Sequence, residues 1–288
     1  MAKRTVSNTA LGAAICRLIE QYQPEDTRLF DDLVIKDLVG APIRWMMASA
    51  AIRRFTVKQT DAVAAGIYGA QVCRTRCIDE AVQAGLARGI DQVVILGAGY
   101  DTRPYRLPGI ERATVFEVDL PAVQATKKKQ LLNHFGRLPA QVTFIPIDFD
   151  TQPLEAALNG TAFDRSLPAL FLWEGVTQYL TATGVGETLT FVGKSAAGSA
   201  VVFTYVLRSI IERRSAIPDA NRMMDRVARQ SPWTFGLDPA ELRSYLRPFH
   251  LSLISDVGDA DYQEGFLKTL GRGLTVFAGE RIAQAAVD

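Results

Sequence analysis

Apolar positions change their spacing along this chain. Up to about residue 90 the sequence is helix-rich, as in QVCRTRCIDEAVQAG, where apolar residues recur at helical spacing between charges. Beyond that point short β-branched and aromatic runs appear at 92–96, 114–118, 142–147, 169–173 and 200–206, separated by stretches long enough for crossover helices. This alternation predicts an α/β fold with a parallel sheet covered on both faces. Two later runs, 251–257 and 274–278, are joined by a loop with Gly258, Asp259 and Gly265 and predict an antiparallel pair at the sheet edge. Between Arg208 and Arg247 a helical pattern is interrupted by Pro218 and Pro232, which fits a lid inserted after the fifth strand and fits ordinary helical packing equally. At the start, a helix capped near Ser7 to Thr9 is expected, with no signal peptide.

Charge narrows the partners. The 288 residues carry 32 basic and 31 acidic side chains, so the total gives no electrostatic reason to seek nucleic acid or an anionic membrane. No run approaches the ~18 uncharged residues of a membrane span, and a cytoplasmic chain is expected. Cys16, Cys73 and Cys77 form no C-x-x-C, and His134 and His250 stand far apart without metal-ligand spacing, so neither a disulfide frame nor a metal site is signalled. Cys73 and Cys77, four apart, read as small buried side chains on one helix face.

Candidate chemistry begins at DQVVILGAGYDTRPYRL, where the first strand breaks into Gly97, Ala98 and Gly99. Glycines there let the backbone turn sharply or pass close to a ligand. The third glycine of a dinucleotide fingerprint is missing, since Thr102 stands in its place, and Asp101 sits in the turn. A pyrophosphate seeks backbone N–H groups and would be repelled by that carboxylate unless Arg103 paired it. The turn suits a cationic or zwitterionic ligand better, and S-adenosylmethionine is one. Such glycine turns also occur in many α/β proteins for structural reasons alone.

In an open parallel sheet ligands sit at the carboxyl ends of the strands. The second strand ends TVFEVDLP, with Glu117 and Asp119 on the same side of the strand, and either carboxylate there can accept both hydroxyls of a ribose. Lys127, Lys128 and Lys129 on the following helix read as a wetted face. The third strand ends TFIPIDFD, where Asp148 can accept from an adenine amino group while the Phe149 backbone N–H meets a ring nitrogen. The fourth ends LFLWEGVTQYLT, which puts Glu174 and Tyr179 at the crevice floor.

Together, in this order and spacing, VVILGAGYDTRPYRL, FEVDLPAV, PIDFD and WEGVTQYL resemble the leucine carboxyl methyltransferase family, from about Ser7 to the C-terminus. The resemblance implies a Rossmann-like class I methyltransferase: a seven-stranded, mostly parallel sheet with an antiparallel edge hairpin. It would form one domain, with N-terminal helices over 1–90, a core over 91–207 and 248–288, and a helical lid over 208–247. It implies S-adenosylmethionine as cofactor, Arg74 on its carboxylate, Gly97, Ala98, Gly99 and Asp101 around its methionine part, and Asp119 or Glu117 on its ribose. It further implies Asp148 and Phe149 about the adenine, Glu174 at the amino end and Tyr179 toward the acceptor. Trp173, Thr177 and Gln178 depart from the commoner family wording, in which small or aliphatic residues are more usual.

Methyl transfer is an in-line displacement in which the protein aligns two reactants in a dry site. A carboxylate acceptor is already ionised at neutral pH and needs no base, whereas a phenol or alcohol does. No histidine stands near the crevice motifs, which favours a small-molecule carboxylate held by Tyr179 and a lid arginine such as Arg213, Arg214 or Arg222. A hydroxyl acceptor with Glu174 as base, a nicotinamide-dependent dehydrogenase and a non-catalytic adenosyl-ligand-binding protein are the alternatives.

Overall fold

Val93, Val94, Ile95 and Leu96 are each at most 3% exposed, and a strand buried on both faces must lie inside a sheet with helices above and below. The computed structural model describes residues 2–149, 152–230 and 232–288. Five helices come first: α1 (Ala2–Glu20), α2 (Ile35–Leu38), α3 (Ala41–Met47), α4 (Ala50–Asp61) and α5 (Ile67–Ala87). α1 is already helical at Ala2, so it runs through the cap expected at 7–9, whose side chains lie outside the described residues.

The alternating part follows as β1 (Gln92–Leu96), α6 (Arg103–Arg106), β2 (Thr114–Asp119), α7 (Pro121–Phe135), β3 (Val142–Pro146), α8 (Leu154–Leu158), β4 (Ala169–Trp173), α9 (Ala182–Gly193) and β5 (Ala200–Val206). Then come α10 (Arg208–Ile211), α11 (Ala220–Gln230), α12 (Leu242–Leu246), β6 (Leu251–Val257), α13 (Asp259–Tyr262) and β7 (Glu280–Val287). The seven strands are ordered β3-β2-β1-β4-β5-β7-β6. β1 to β5 are mutually parallel and β7 is antiparallel to both of its neighbours. Strand order reverses between β1 and β4, and a crevice opens at such a point beyond the carboxyl ends.

Side-chain alternation divides the core in two. Val93, Ile95, Val115, Leu170, Leu172 and Val202 share one face with the N-terminal helices. Val94, Phe116, Phe171, Trp173 and Phe203 share the other with α8, α9 and α12. Among the described residues no helix is long and apolar enough to cross a membrane.

Two expectations about the C-terminal part are corrected. The last strand is β7, and 274–278 is an extended segment laid along α5, where Phe277 N donates to Gly66 O at 2.9 Å. Helical structure, α13 and a π turn over Gln263–Leu267, also separates β6 from β7. The alanines of ERIAQAAV hid β7, because they carry little strand propensity; the partner strands impose the conformation. Within 208–247, Leu237 bridges to Leu207, and Phe235, Leu237, Leu242 and Leu246 are core residues, so the second half of that segment is packed interior.

The close approach of 274–278 to α5 rests on missing side chains. A Cβ on Gly69 would meet Thr275 O at 2.1 Å, whereas one on Gly12 of α1 would meet nothing within 4 Å. Gly69→Ala is therefore expected to lose about 1–3 kcal/mol in denaturant unfolding. Gly12→Ala should gain up to ~1 kcal/mol from helix propensity. Equal effects of the two changes would contradict the close contact.

Candidate functional site

β1 delivers its chain into a turn that needs glycine: Gly97 has φ +71° and Gly99 φ +42°, a region costly for side chains. A Cβ at Gly97 would also sit 2.5 Å from Val176 Cγ2. The turn is held from β2. Gly97 N and Ala98 N donate to Val118 O at 2.8 and 3.1 Å, and Gly99 N donates to Asp119 Oδ2 at 2.5 Å. Leu120 N donates to Asp119 Oδ1 at 2.6 Å. Burial pushes the Asp119 carboxyl above its ordinary range, against the pull of those two N–H groups.

The two acids of β2 differ in surroundings. Glu117 is 0% exposed, accepts from Tyr105 Oη at 2.6 Å and ion-pairs with Lys127 Nζ at 2.8 Å. Its carboxylate is committed inside the protein, which leaves Asp119 as the acid next to the glycine turn. Lys127 corrects the expectation of a wetted face: it is 2% exposed, and its Nζ also lies 3.5 Å from Ala98 O. The signal was present in the helix period, since Gln124, Lys127 and Leu131 form one buried stripe of α7.

At the end of β4 the carboxylate of Glu174 is clasped by two guanidinium groups. Arg74 Nε donates to Oε1 at 2.8 Å and Arg103 Nη1 to Oε2 at 2.7 Å. Arg103, 1% exposed, also pairs with Asp101 at 2.7 Å and Asp79 at 2.7 Å. Arg74 reaches Glu280 at the start of β7 at 2.5 Å and Gln71 at 2.8 Å. Arg106 joins from α6 through Asp79 at 2.7 Å, and Arg17 of α1 donates to Tyr100 O at 2.5 Å. Burial alone would push the Glu174 carboxyl up, but Arg103 and Arg74 outweigh it and hold the group well below the ordinary carboxylate range. Asp101 is lowered in the same way, burial being outweighed by Arg103. A carboxylate held ionised so firmly is a weak proton acceptor, which counts against the general-base role considered for Glu174.

The other candidates fall around this cluster. Asp148 and Phe149 follow β3; Asp148 N donates to Gln152 Oε1 at 3.2 Å, and Phe149 packs on the Trp173 side of the core. Tyr179 ends a 3-10 turn over Thr177–Tyr179, with its ring 6.4 Å from that of Trp233. Thr177 fixes the turn by donating to Thr204 O at 2.6 Å, and Thr234 N donates to Gln178 O at 2.8 Å. Arg213, Arg214 and Arg222 are exposed and pair with Asp225, Glu212 and Asp219. His134 pairs with Asp37 at the surface and His250 is exposed just before β6. Burial pushes the Cys73 thiol up to about 12 and that of Cys77 to about 11. Among the described residues no group of three His, Cys, Asp or Glu could hold a metal ion. Sequence reasoning missed Lys127, Tyr105, Asp79, Glu280 and Arg17, which reach the cluster from distant parts of the chain.

The chemistry of this set is that of a cation receptor with one anion handle. Asp101, Asp119, Glu174 and Glu280 supply negative charge, and Arg74, whose three nitrogens meet Glu174, Glu280 and Gln71, would exchange one of these partners to meet a ligand's carboxylate. The helix after the glycine turn, α6, has four residues, too short to offer a dinucleotide the dipole of a crossover helix.

A family model described as leucine carboxyl methyltransferase matches residues 10–193. The chain belongs to this family. A Rhodococcus jostii protein named "Putative S-adenosyl-L-methionine-dependent methyltransferase" is 34% identical over 61% of this chain and 57% of its own length. A Mycobacteroides abscessus protein of the same name is 34% identical over 68% of this chain and 64% of its own. The chain thus spans about three-fifths of these relatives. Among solved structures, a "putative methyltransferase" from Thermobifida fusca superposes with TM-score 0.61 at 16% identity, covering 88% of this chain and 93% of the other. A Streptomyces avermitilis protein of the DUF574 family gives 0.58 at 15%, covering 94% and 100%. The leucine carboxyl methyltransferase motifs therefore lie on a sheet shared with remote relatives.

The buried Lys127–Glu117 pair is open to a direct check. Lys127→Met leaves Glu117 without its cation and should cost about 3–5 kcal/mol. Adding Glu117→Gln should restore much of that loss in a double-mutant cycle followed by denaturant unfolding. Additive losses would show that the two groups do not depend on each other.

Proposed function

We propose that this protein is an S-adenosylmethionine-dependent O-methyltransferase whose acceptor is the carboxylate of a small molecule. The observation that carries the reading is Glu174, clasped between Arg74 and Arg103 beyond the carboxyl end of β4, where the strand order reverses between β1 and β4. The donor set fits this cofactor. Arg74 would hold its carboxylate, Glu174 would face its ammonium, Asp119 would accept from its ribose, and Asp148 with Phe149 would frame its adenine. Gly97 and Gly99 leave room beside the backbone for its methionine part. When bound, the cofactor supplies an electrophilic methyl group on a sulfonium.

The residues of the chain align and dehydrate the reactants. Asp101 and Glu174, both kept ionised by Arg103, would supply negative charge toward the cofactor's cationic groups. Tyr179, its ring 6.4 Å from that of Trp233, would stand toward the acceptor, and its hydroxyl would orient the carboxylate. Among the described residues no histidine lies at the carboxyl ends of the parallel strands, and Glu174 would be a weak base toward a hydroxyl. A carboxylate asks for no such help, because it ionises near pH 4. The names of the relatives support the cofactor and do not name an acceptor.

Calorimetry followed by labelled methyl transfer tests both levels. S-adenosylmethionine and its demethylated product should bind and NAD should not; label transferred to the acceptor should be released as methanol by mild alkali. NAD binding without response to either sulfur ligand would overturn the cofactor assignment. Label that survives alkali would move the acceptor to a hydroxyl.

A further inference from the structure

The helical pair before α5 packs Ile43, Met47 and Val57 against the core and still leaves large apolar side chains on its outer face. α4 buries none of its residues. Trp45 is 79% exposed, Phe55 62%, Met46 42% and Ile52 37%. Arg53 of α4 donates to the carbonyls of Met47 and Ala48 at 2.6 and 2.8 Å, which pins α3 and α4 into one unit. On α4 the outward stripe reads Ile52, Phe55 and Lys58 at intervals of three. Arg54 and Lys58 beside it are exposed and form no ion pair among the described residues.

Charge is segregated to the same region. α11 touches the end of α4, where Arg226 donates to Ala62 O at 3.3 Å. Together α3, α4 and α11 carry seven basic and two acidic residues, a net +5, although the whole chain is +1. The remainder of the molecule is thus net negative. Two outward aromatic side chains, with Arg54 and Lys58 unpaired among the described residues beside Phe55 and Arg44 paired with Asp37 beside Trp45, are the chemistry of an interfacial helix, whose apolar residues enter the headgroup boundary while its cations meet anionic lipid.

We infer that the α3–α4 face docks on an anionic phospholipid bilayer as a peripheral contact. The balanced total charge, from which no membrane partner was expected, conceals this local concentration of cations. A second copy of the chain is a poorer occupant, because a two-fold contact would set this cationic face against itself. The inference does not rest on the methyltransferase reading.

Sedimentation of the full chain with vesicles of phosphatidylglycerol mixed with phosphatidylcholine, and of phosphatidylcholine alone, decides it. Binding should require the anionic lipid, weaken with salt and shift the emission of Trp45 to shorter wavelength. Each basic residue near such a surface is worth about fivefold in partitioning, so Arg54→Glu with Lys58→Glu should weaken binding by at least about twentyfold. Trp45→Ser with Phe55→Ser should weaken it by at least about tenfold, two exposed aromatic contacts being lost. Thermal melting of both variants should match the wild type, since the altered side chains are exposed. Absence of binding to anionic vesicles, or binding indifferent to both pairs of changes, would overturn the inference. So would a wild-type dimer that Trp45→Ser with Phe55→Ser converts to monomer.

Discussion

Glu174 at the end of β4 has to stay charged in an interior that disfavours charge, and two arginines from different parts of the chain make that possible. Arg74 comes from α5 and Arg103 from the segment after the glycine turn, so the carboxylate ties the N-terminal helices and the turn to the centre of the sheet. Each arginine in turn needs further acids: Glu280 brings in β7, and Asp79 and Asp101 bring in α5 again and the turn. Breaking one buried partner leaves the others uncompensated, which is far more costly than losing an exposed pair. The crevice therefore holds its shape through charge as much as through apolar packing.

This constraint also sets what the crevice accepts. Its acids outnumber the arginines left to meet a new anion, so an incoming positive group is favoured and a diphosphate is not. The glycine turn is bound by Asp119 and Val118 from β2 and by the buried Lys127, and so its conformation does not wait for a ligand. A site arranged beforehand spends little binding energy on ordering itself. Trp173, fully buried on the opposite face of β4, and Thr177, bonded to β5, anchor the turn that carries Tyr179.

Much of the sheet was legible because β1, β4 and β5 are fully buried and β2 is buried from Val115 onward, and burial on both faces leaves a near-continuous apolar run in the sequence. The pairing of Asp101 with Arg103 was legible too, since two residues in one turn are close by construction. β7 was not, because its alanines pack well only once β5 and β6 are beside it. Glu117 and Asp119 looked equivalent from their shared side of the strand. What separates them is Lys127, which reaches one of them from a helix that begins later in the chain. Partners such as Glu280, 206 residues from Arg74, leave no local signature. Whole-chain charge likewise hid the cationic face around α4, because a sum carries no information about place.

Titration of S-adenosylmethionine into the wild type and Glu174→Gln tests the central role of that carboxylate most directly. Glutamine keeps the size and two hydrogen-bonding atoms of the side chain but removes the charge that balances Arg74 and Arg103 and that, on the proposed reading, would face the ligand's ammonium. Loss of a hydrogen bond to a charged group is worth roughly 1.5–3 kcal/mol, so affinity should fall by about 10–150-fold while circular dichroism stays that of a folded chain. Affinity equal to that of the wild type in a folded Glu174→Gln protein would contradict the account.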